Sequence, residues 1–561
     1  MISHSQKNTL LRFNQRRALV LVVLLFSVSI STVFAQRPGT QRSTNATTGA
    51  SQTDGRSLSL AVQSTIEKAL AALNNGALPD AERAARRAVL EAPRSAITHN
   101  LLGVVLDRSG SADQALSEFN IAIKLDPNFV SARNNLGRFH AGRGKTAEAI
   151  AEFERVLTLD PAHLQAHYNL GALYADAGDF ANSAEQFARA RAAAPNDPQL
   201  ALAFLNVAYR ANRIDEANAA ADLIEQTVSS DPQALFTLAT ALGRNQQYER
   251  AARLYAKVNE KIPHTFEVLY NLGVALYNLD RNADAARYLS EAADLNPGPA
   301  ETHFRLALIA SAGNDQLNAV EEFKHAIDRD AKNANYHYLL GREYFRAGFW
   351  EGAIKEYSEA IALDPKQVAY VLGRANASYR KGEWIAAAND FDLASSLDPS
   401  IKDIEYLRGY AHRAAGNFDV ARQLLEKFIG THPDYVDALA SLGYVAVEQG
   451  RLDEAEAPLQ HALSLEPDNV PVLYDYARLA IKRRNYEEAV VRLRRVIEKN
   501  PTHTQAHYQL FLAHSRLKQA DPAATELAEF KRLQALEKQI TQERILDEKL
   551  RVQRMLGQSA Q

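Results

Sequence analysis

Proline recurs in this chain on a fixed beat. Pro93, Pro127, Pro161, Pro195, Pro263, Pro297, Pro365, Pro399, Pro433, Pro467 and Pro501 lie 34 or 68 residues apart, and no insertion interrupts twelve periods. Such a chain cannot fold around one large core drawn from distant segments, because every unit presents the same faces to its neighbours. Counted from three residues after each proline, fourteen units run from Val62 and Ala96 to the one opening at Thr504, and together they fill 62–537.

The columns of this repeat have a physical reading. Apolar residues at positions 4–14 and 20–30 follow helical spacing, so each unit is two short helices. Position 8 is small throughout, as in Gly103, Gly137, Gly341 and Gly443, except for Leu205 and Phe511; position 20 is Ala everywhere but Ser183. Small residues at these places let two helix axes approach closely. Position 15, between the helices, is Gly76, Gly110, Gly144, Gly178, Gly348, Gly382, Gly416 or Gly450, and in two further units Asn212 and Asn314, residues that a left-handed position past a helix end favours. Proline at position 32 disfavours helix in its predecessor and ends the second helix. One hairpin closes no core, so the expected fold class is all-α, with hairpins stacked on one another.

These residues resemble the tetratricopeptide repeat family: a 34-residue helix–turn–helix with small residues at 8 and 20, an aromatic near 24 (Phe119, Phe153, Phe187, Tyr255, Phe323, Tyr357, Phe391) and proline at 32. The resemblance implies a right-handed α-solenoid whose first helices line a concave groove that holds other proteins. Unit 198–231 departs most: Pro198 opens it, Leu205 stands in the small column and Ser229 replaces proline. A hinge is expected there.

Segments outside the repeat divide as follows. Residues 1–35 read as a secretory signal, with Lys7, Arg12, Arg16 and Arg17 before the apolar run Ala18 to Ile30 and with Val33 and Ala35 at the positions a signal peptidase reads. An uncleaved anchor is the alternative, the one way this chain would meet a membrane, facing the periplasm. Both readings export the rest, to the periplasm or beyond. Residues 36–61 are rich in Ser, Thr and Gly and read as a flexible tether. In the last unit Ala535 replaces proline, so its second helix is expected to continue through 538–561 as a cap.

Chemistry finds little foothold. With Lys+Arg 64 against Asp+Glu 67 the net charge is −3, which offers no basic field for nucleic acid, and the absence of cysteine removes thiolate and zinc-ribbon chemistry. Gly142-Arg143-Gly144-Lys145-Thr146 imitates a phosphate loop, but Phe139 occupies the place of its leading glycine. His163 with His167, and His503 with His507, have metal-clamp spacing without a third ligand. Neither metal nor cofactor is expected, and no segment remains for a catalytic domain, so the expectation is a scaffold and not an enzyme.

The groove is where function is expected. The resemblance places position 5 on the concave side, and Tyr270, Phe304 and Tyr338 stand there; aromatics at this position are ordinary for the family. Position 13 carries Arg346 and Arg380, joined by Arg305, Arg342 and Tyr379. Residues 34 apart sit on successive layers, roughly 10 Å apart, so Arg346 and Arg380 are expected to meet carboxylates three residues apart on an extended acidic peptide. The alternative is a glycan stacked on the same rings, as in a scaffold of polysaccharide export or cell-wall assembly.

Overall fold

A computed structural model describes residues 58–555. The expected signal segment, and all but the last four residues of the tether, lie outside the described residues. Among the described residues the chain forms twenty-eight α-helices and no strand. Numbered α1 to α28 in chain order, they alternate as first and second helices of fourteen hairpins, from α1 (Leu60–Asn74) and α2 (Leu78–Glu91) to α27 (Thr504–Arg516) and α28 (Ala520–Met555). The first helix begins two residues ahead of the first unit, where the Ser59 hydroxyl accepts from the Val62 N–H at 3.4 Å.

The turn column does what its composition requires. All fourteen residues at position 15 have positive φ: the eight glycines, and also Asn212, Gln246, Asp280, Asn314, Arg484 and Lys518 at 57° to 62°. The two helices of every hairpin thus meet through the same left-handed joint, and at six of these joints a side chain bears the strain, about 1 kcal/mol each. The turn N–H groups are bonded all the same, Gln246 to Gly243 and Arg484 to Ile481.

The small column is a packing constraint between helices. A Cβ added to Gly103 would stand 2.8 Å from the Phe119 ring, and one on Gly137 would stand 2.7 Å from Phe153. Position 8 of the first helix therefore receives position 24 of the second. This explains the exceptional hairpin of α9 (Pro198–Arg210) and α10 (Ile214–Thr227). Leu205, large at position 8, is wholly buried, and its partner at position 24 is Ala221, also wholly buried. The hairpin's own interface stays buried despite the change of sizes, but α10 makes the thinnest link to a following hairpin within the first unit, on α11 (Pro232–Arg244). The chain divides at Ile262/Pro263 into two compact units. The residue after that proline, His264, has φ 56°.

The first unit ends with α12 (Tyr248–Lys261); the second begins with α13 (Phe266–Asn278) and holds eight hairpins. Within each unit first helices pack on the next first helices, as α3 (Ala96–Arg108) does on α5 (Val130–Ala141) and α23 (Val436–Glu448) on α25 (Val470–Lys482). Second helices make no mutual contact of that extent. Each stack therefore curves with its first helices on the inner side.

Candidate functional site

All eight residues singled out by sequence lie on first helices of the second unit, and they fare differently. Tyr270, on α13, is half-buried and stacks at 5.8 Å on Phe266; burial pushes its hydroxyl up to about 12. Phe304, on α15 (Ala300–Ala312), belongs to the core instead of the groove floor: it is 7% exposed and lies 4.9 Å from the Tyr336 ring. Arg305 is neutralised on its own helix, where Nε donates to Glu301 Oε1 at 2.8 Å.

On α17 (Ala334–Arg346), Tyr338 packs 4.9 Å from Tyr370, and burial raises its hydroxyl. Arg342 approaches the wholly buried Glu343 at 3.6 Å. Arg346 is engaged more fully, through Nη1 with Glu343 Oε2 at 3.1 Å and Ser311 Oγ at 3.3 Å, and through Nη2 with Asn314 Oδ1 at 2.9 Å. On α19 (Val368–Lys381), Tyr379 lies 5.3 Å from Tyr410, whereas Arg380 is exposed and has no ion pair or hydrogen bond among the described residues. The pair expected to read two carboxylates is thus unequal. Arg346, although exposed, is tied down by a buried glutamate, and Arg380 has no such partner among the described residues.

Residues that sequence reasoning passed over form a more continuous arrangement. From Tyr379 the path runs to Tyr410 on α21 (Ile404–Ala414), then to Arg413, whose guanidinium lies 4.6 Å from the Tyr410 ring and 5.0 Å from Tyr444 on α23. Arg478 on α25 covers Tyr444 at 5.1 Å and pairs with Glu448 and, at 3.1 Å, with Asp475. Burial raises the Asp475 carboxyl to about 6 against the pull of Arg478. A signal for this cluster existed: Tyr410, Tyr444 and Arg478 are themselves 34 apart, at position 9, as Tyr379 and Arg413 are at position 12.

The paired histidines are occupied by packing. His167 Nδ1 faces Gln186 at 2.7 Å and Nε2 the Pro161 carbonyl at 2.9 Å; His507 meets Glu526 at 2.6 Å and the Pro501 carbonyl at 3.1 Å. His163 and His503 accept from the N–H groups of Ala166 and Ala506, capping their helices. Gly144, with φ 71°, is the hairpin turn of its unit.

Comparison with known proteins gives one consistent result. A family model described as tetratricopeptide repeat matches residues 66–129, 107–162, 134–198, 236–298, 270–334 and 406–470, more than half of the chain; a second of that description matches 446–513, and one described as TPR repeat matches 341–382. No curated protein matches the chain. Among solved structures, the pilF protein of Pseudomonas aeruginosa is 23% identical over 37% of this chain and 95% of its own, with a TM-score of 0.32. MamA from Desulfovibrio magneticus RS-1 is 21% identical, over 31% and 98%, at 0.29. The C-terminal part of a TPR repeat-containing protein from Cytophaga hutchinsonii is 18% identical, over 43% and 98%, at 0.36.

Proposed function

The chain belongs to the tetratricopeptide repeat family, and from that premise we propose that it is an exported scaffold holding an extended, acidic segment of a partner protein on the inner face of its second unit. Its repeats make it a protein-interaction scaffold, on a fold that generally carries no catalysis. One observation carries the finer reading: from Tyr338 to Arg478 the inner face offers rings and guanidinium groups in sequence, and two of the cations, Arg380 and Arg413, stand outside any ion pair among the described residues. Flat side chains with polar edges supply area at low entropic cost, and guanidinium groups supply direction toward carboxylates.

Export rests on the charged flank, apolar run and Val33/Ala35 pair of the first 35 residues. Expression in a Gram-negative host followed by amino-terminal sequencing tests it: a chain in the periplasm or medium that starts at Gln36 supports cleavage, and a full-length cytoplasmic chain overturns export. Crosslinked capture from the cell envelope tests the partner class. Recovery of proteins with acidic extended segments supports the reading. A glycan array that retains the mature chain, with no protein captured, would favour the scaffold of polysaccharide export or cell-wall assembly.

A further inference from the structure

One contact recurs at the joints between hairpins. Arg133, at position 4 of its unit, donates through Nε to the carbonyl of Pro127, in the linker before it, at 2.8 Å. Through Nη1 it donates to Glu152 Oε2, at position 23 on its own second helix, at 3.1 Å. Three histidines occupy the same place in other units and face the same two acceptors. His99 meets Glu118 at 2.6 Å and the Pro93 carbonyl at 3.0 Å; His337 meets Glu356 at 2.7 Å and the Ala331 carbonyl at 3.3 Å; His507 meets Glu526 at 2.6 Å and the Pro501 carbonyl at 3.1 Å. These rings are only 6% to 8% exposed, so water has little access to them. A carboxylate and a carbonyl both accept, whereas a neutral imidazole carries a single N–H. Only the doubly protonated ring serves both, as the guanidinium of Arg133 does at every ordinary pH. His167 differs in one respect. Its second-helix partner is Gln186, at 2.7 Å, an amide that can turn either its NH2 or its oxygen to the ring, so a neutral His167 keeps that bond and the one to the Pro161 carbonyl at 2.9 Å.

We propose that His99, His337 and His507 are proton-dependent locks on the joints between successive hairpins: doubly protonated, each ties the linker before it to both helices of its own hairpin, and each releases that linker when its ring gives up the second proton. The carboxylate is the stronger acceptor, so the remaining N–H stays on the glutamate and the linker carbonyl loses its donor. The stack is then stiffest in acid and yields at three joints as the pH rises, whatever the inner face holds. The charged groups around each ring bear on its proton. At His99 the ion-pairing group is Glu118. At His337, Glu359 adds to Glu356, while Lys324 of the preceding second helix lies near Glu356 from the other side. At His507, Glu529 adds to Glu526, and His503 opposes them. The bond to Glu356 raises His337 above its ordinary 6.5, so its lock is fully present below that value and lost as the pH climbs through the folded one. His303 reaches Glu322 at 2.8 Å, but its buried Nε2 has no partner among the described residues, so it locks no linker.

Hydrogen exchange of the full chain between pH 6 and 9 tests this, expressed as protection factors so that the intrinsic pH dependence of exchange drops out. Protection over 93–99, 331–337 and 501–507 is expected to fall about fivefold or more across that range. The joints 127–133, held by Arg133, and 161–167, where His167 faces Gln186, are references within the same molecule and should stay level. A triple variant, His99→Arg, His337→Arg and His507→Arg, gives each joint the residue that serves at 133. It should keep its protection at both ends of the range. Should it fail to fold, the unaltered chain decides alone, because its two references are built in. An equal fall at all five joints, no fall at the three histidine joints, or a fall that persists in the arginine variant overturns the proposal.

Discussion

Leu205 and Ala221 show how a single position is decided by the residue it faces. In most other hairpins a small residue at position 8 accommodates a large one at 24; here the sizes are reversed and both residues are wholly buried. Leu205→Ala should therefore cost about 3 kcal/mol through the cavity it leaves. Leu205→Ala combined with Ala221→Phe, which restores the arrangement of Gly103 and Phe119, should recover most of that loss, as urea unfolding would show; additive losses would mean that the two do not share one space. His337 is a second case. Nδ1 faces Glu356 Oε2 at 2.7 Å and Nε2 the Ala331 carbonyl at 3.3 Å, two acceptors that only a doubly protonated ring satisfies together. The hydrogen bond to Glu356 raises this histidine above its ordinary 6.5 despite burial. A raised folded value contributes stability that is fully present below 6.5 and lost as the pH rises through the folded value. Melting temperature measured from pH 5.5 to 8.5 should show the unaltered chain losing stability relative to His337→Gln as pH increases; parallel curves would contradict the ionised pair. Both features were half legible. The columns named the positions, but only coordinates show which side chain fills the space that another vacates.

At the scale of elements, the hairpins could be read from sequence almost to the residue because period, turn residue and proline all mark the same boundaries. Contacts between distant helices leave no such trace. The second helix of an ordinary hairpin here has 14 residues, as α4 (Ala112–Leu125) does, whereas α28 has 36. At about 1.5 Å per residue the excess reaches roughly 33 Å beyond its own layer. The continuation was legible in Ala535, but its destination was not: α28 packs against α16 (Gln316–Arg329), six hairpins earlier. Leu533 is buried in the last hairpin, while Ile540 and Leu546 remain exposed along the extension. Removing 536–561 should leave the melting of the last hairpin nearly unchanged and raise hydrogen exchange in 316–329 several-fold. Unchanged exchange there would show that the extension only shields its own layer.

For the whole molecule, a uniform period hides a division. Pro263 keeps its column, so nothing in the spacing marks Ile262/Pro263 as the boundary between two compact units. The site was legible to a similar degree. Sequence placed function on first helices that fall in the second unit and drew mainly on columns 5 and 13, with Arg305, Arg342 and Tyr379 from columns 6, 9 and 12; yet a buried glutamate on the same helix takes up Arg346, and the continuous path of rings and cations follows columns 9 and 12 further along, through residues sequence did not name. Which arginines are satisfied internally depends on carboxylates that the repeat does not fix. The central claim is that partners lie on the inner face of the second unit, and the absence of cysteine allows it to be tested at single positions. A benzophenone attached at Ala440→Cys, on α23 in the column that holds Tyr406 and Tyr474, should crosslink the partner captured from the envelope, and one at Arg422→Cys, on the second helix of the preceding hairpin, should not. Crosslinking from Arg422→Cys with none from Ala440→Cys would contradict the account.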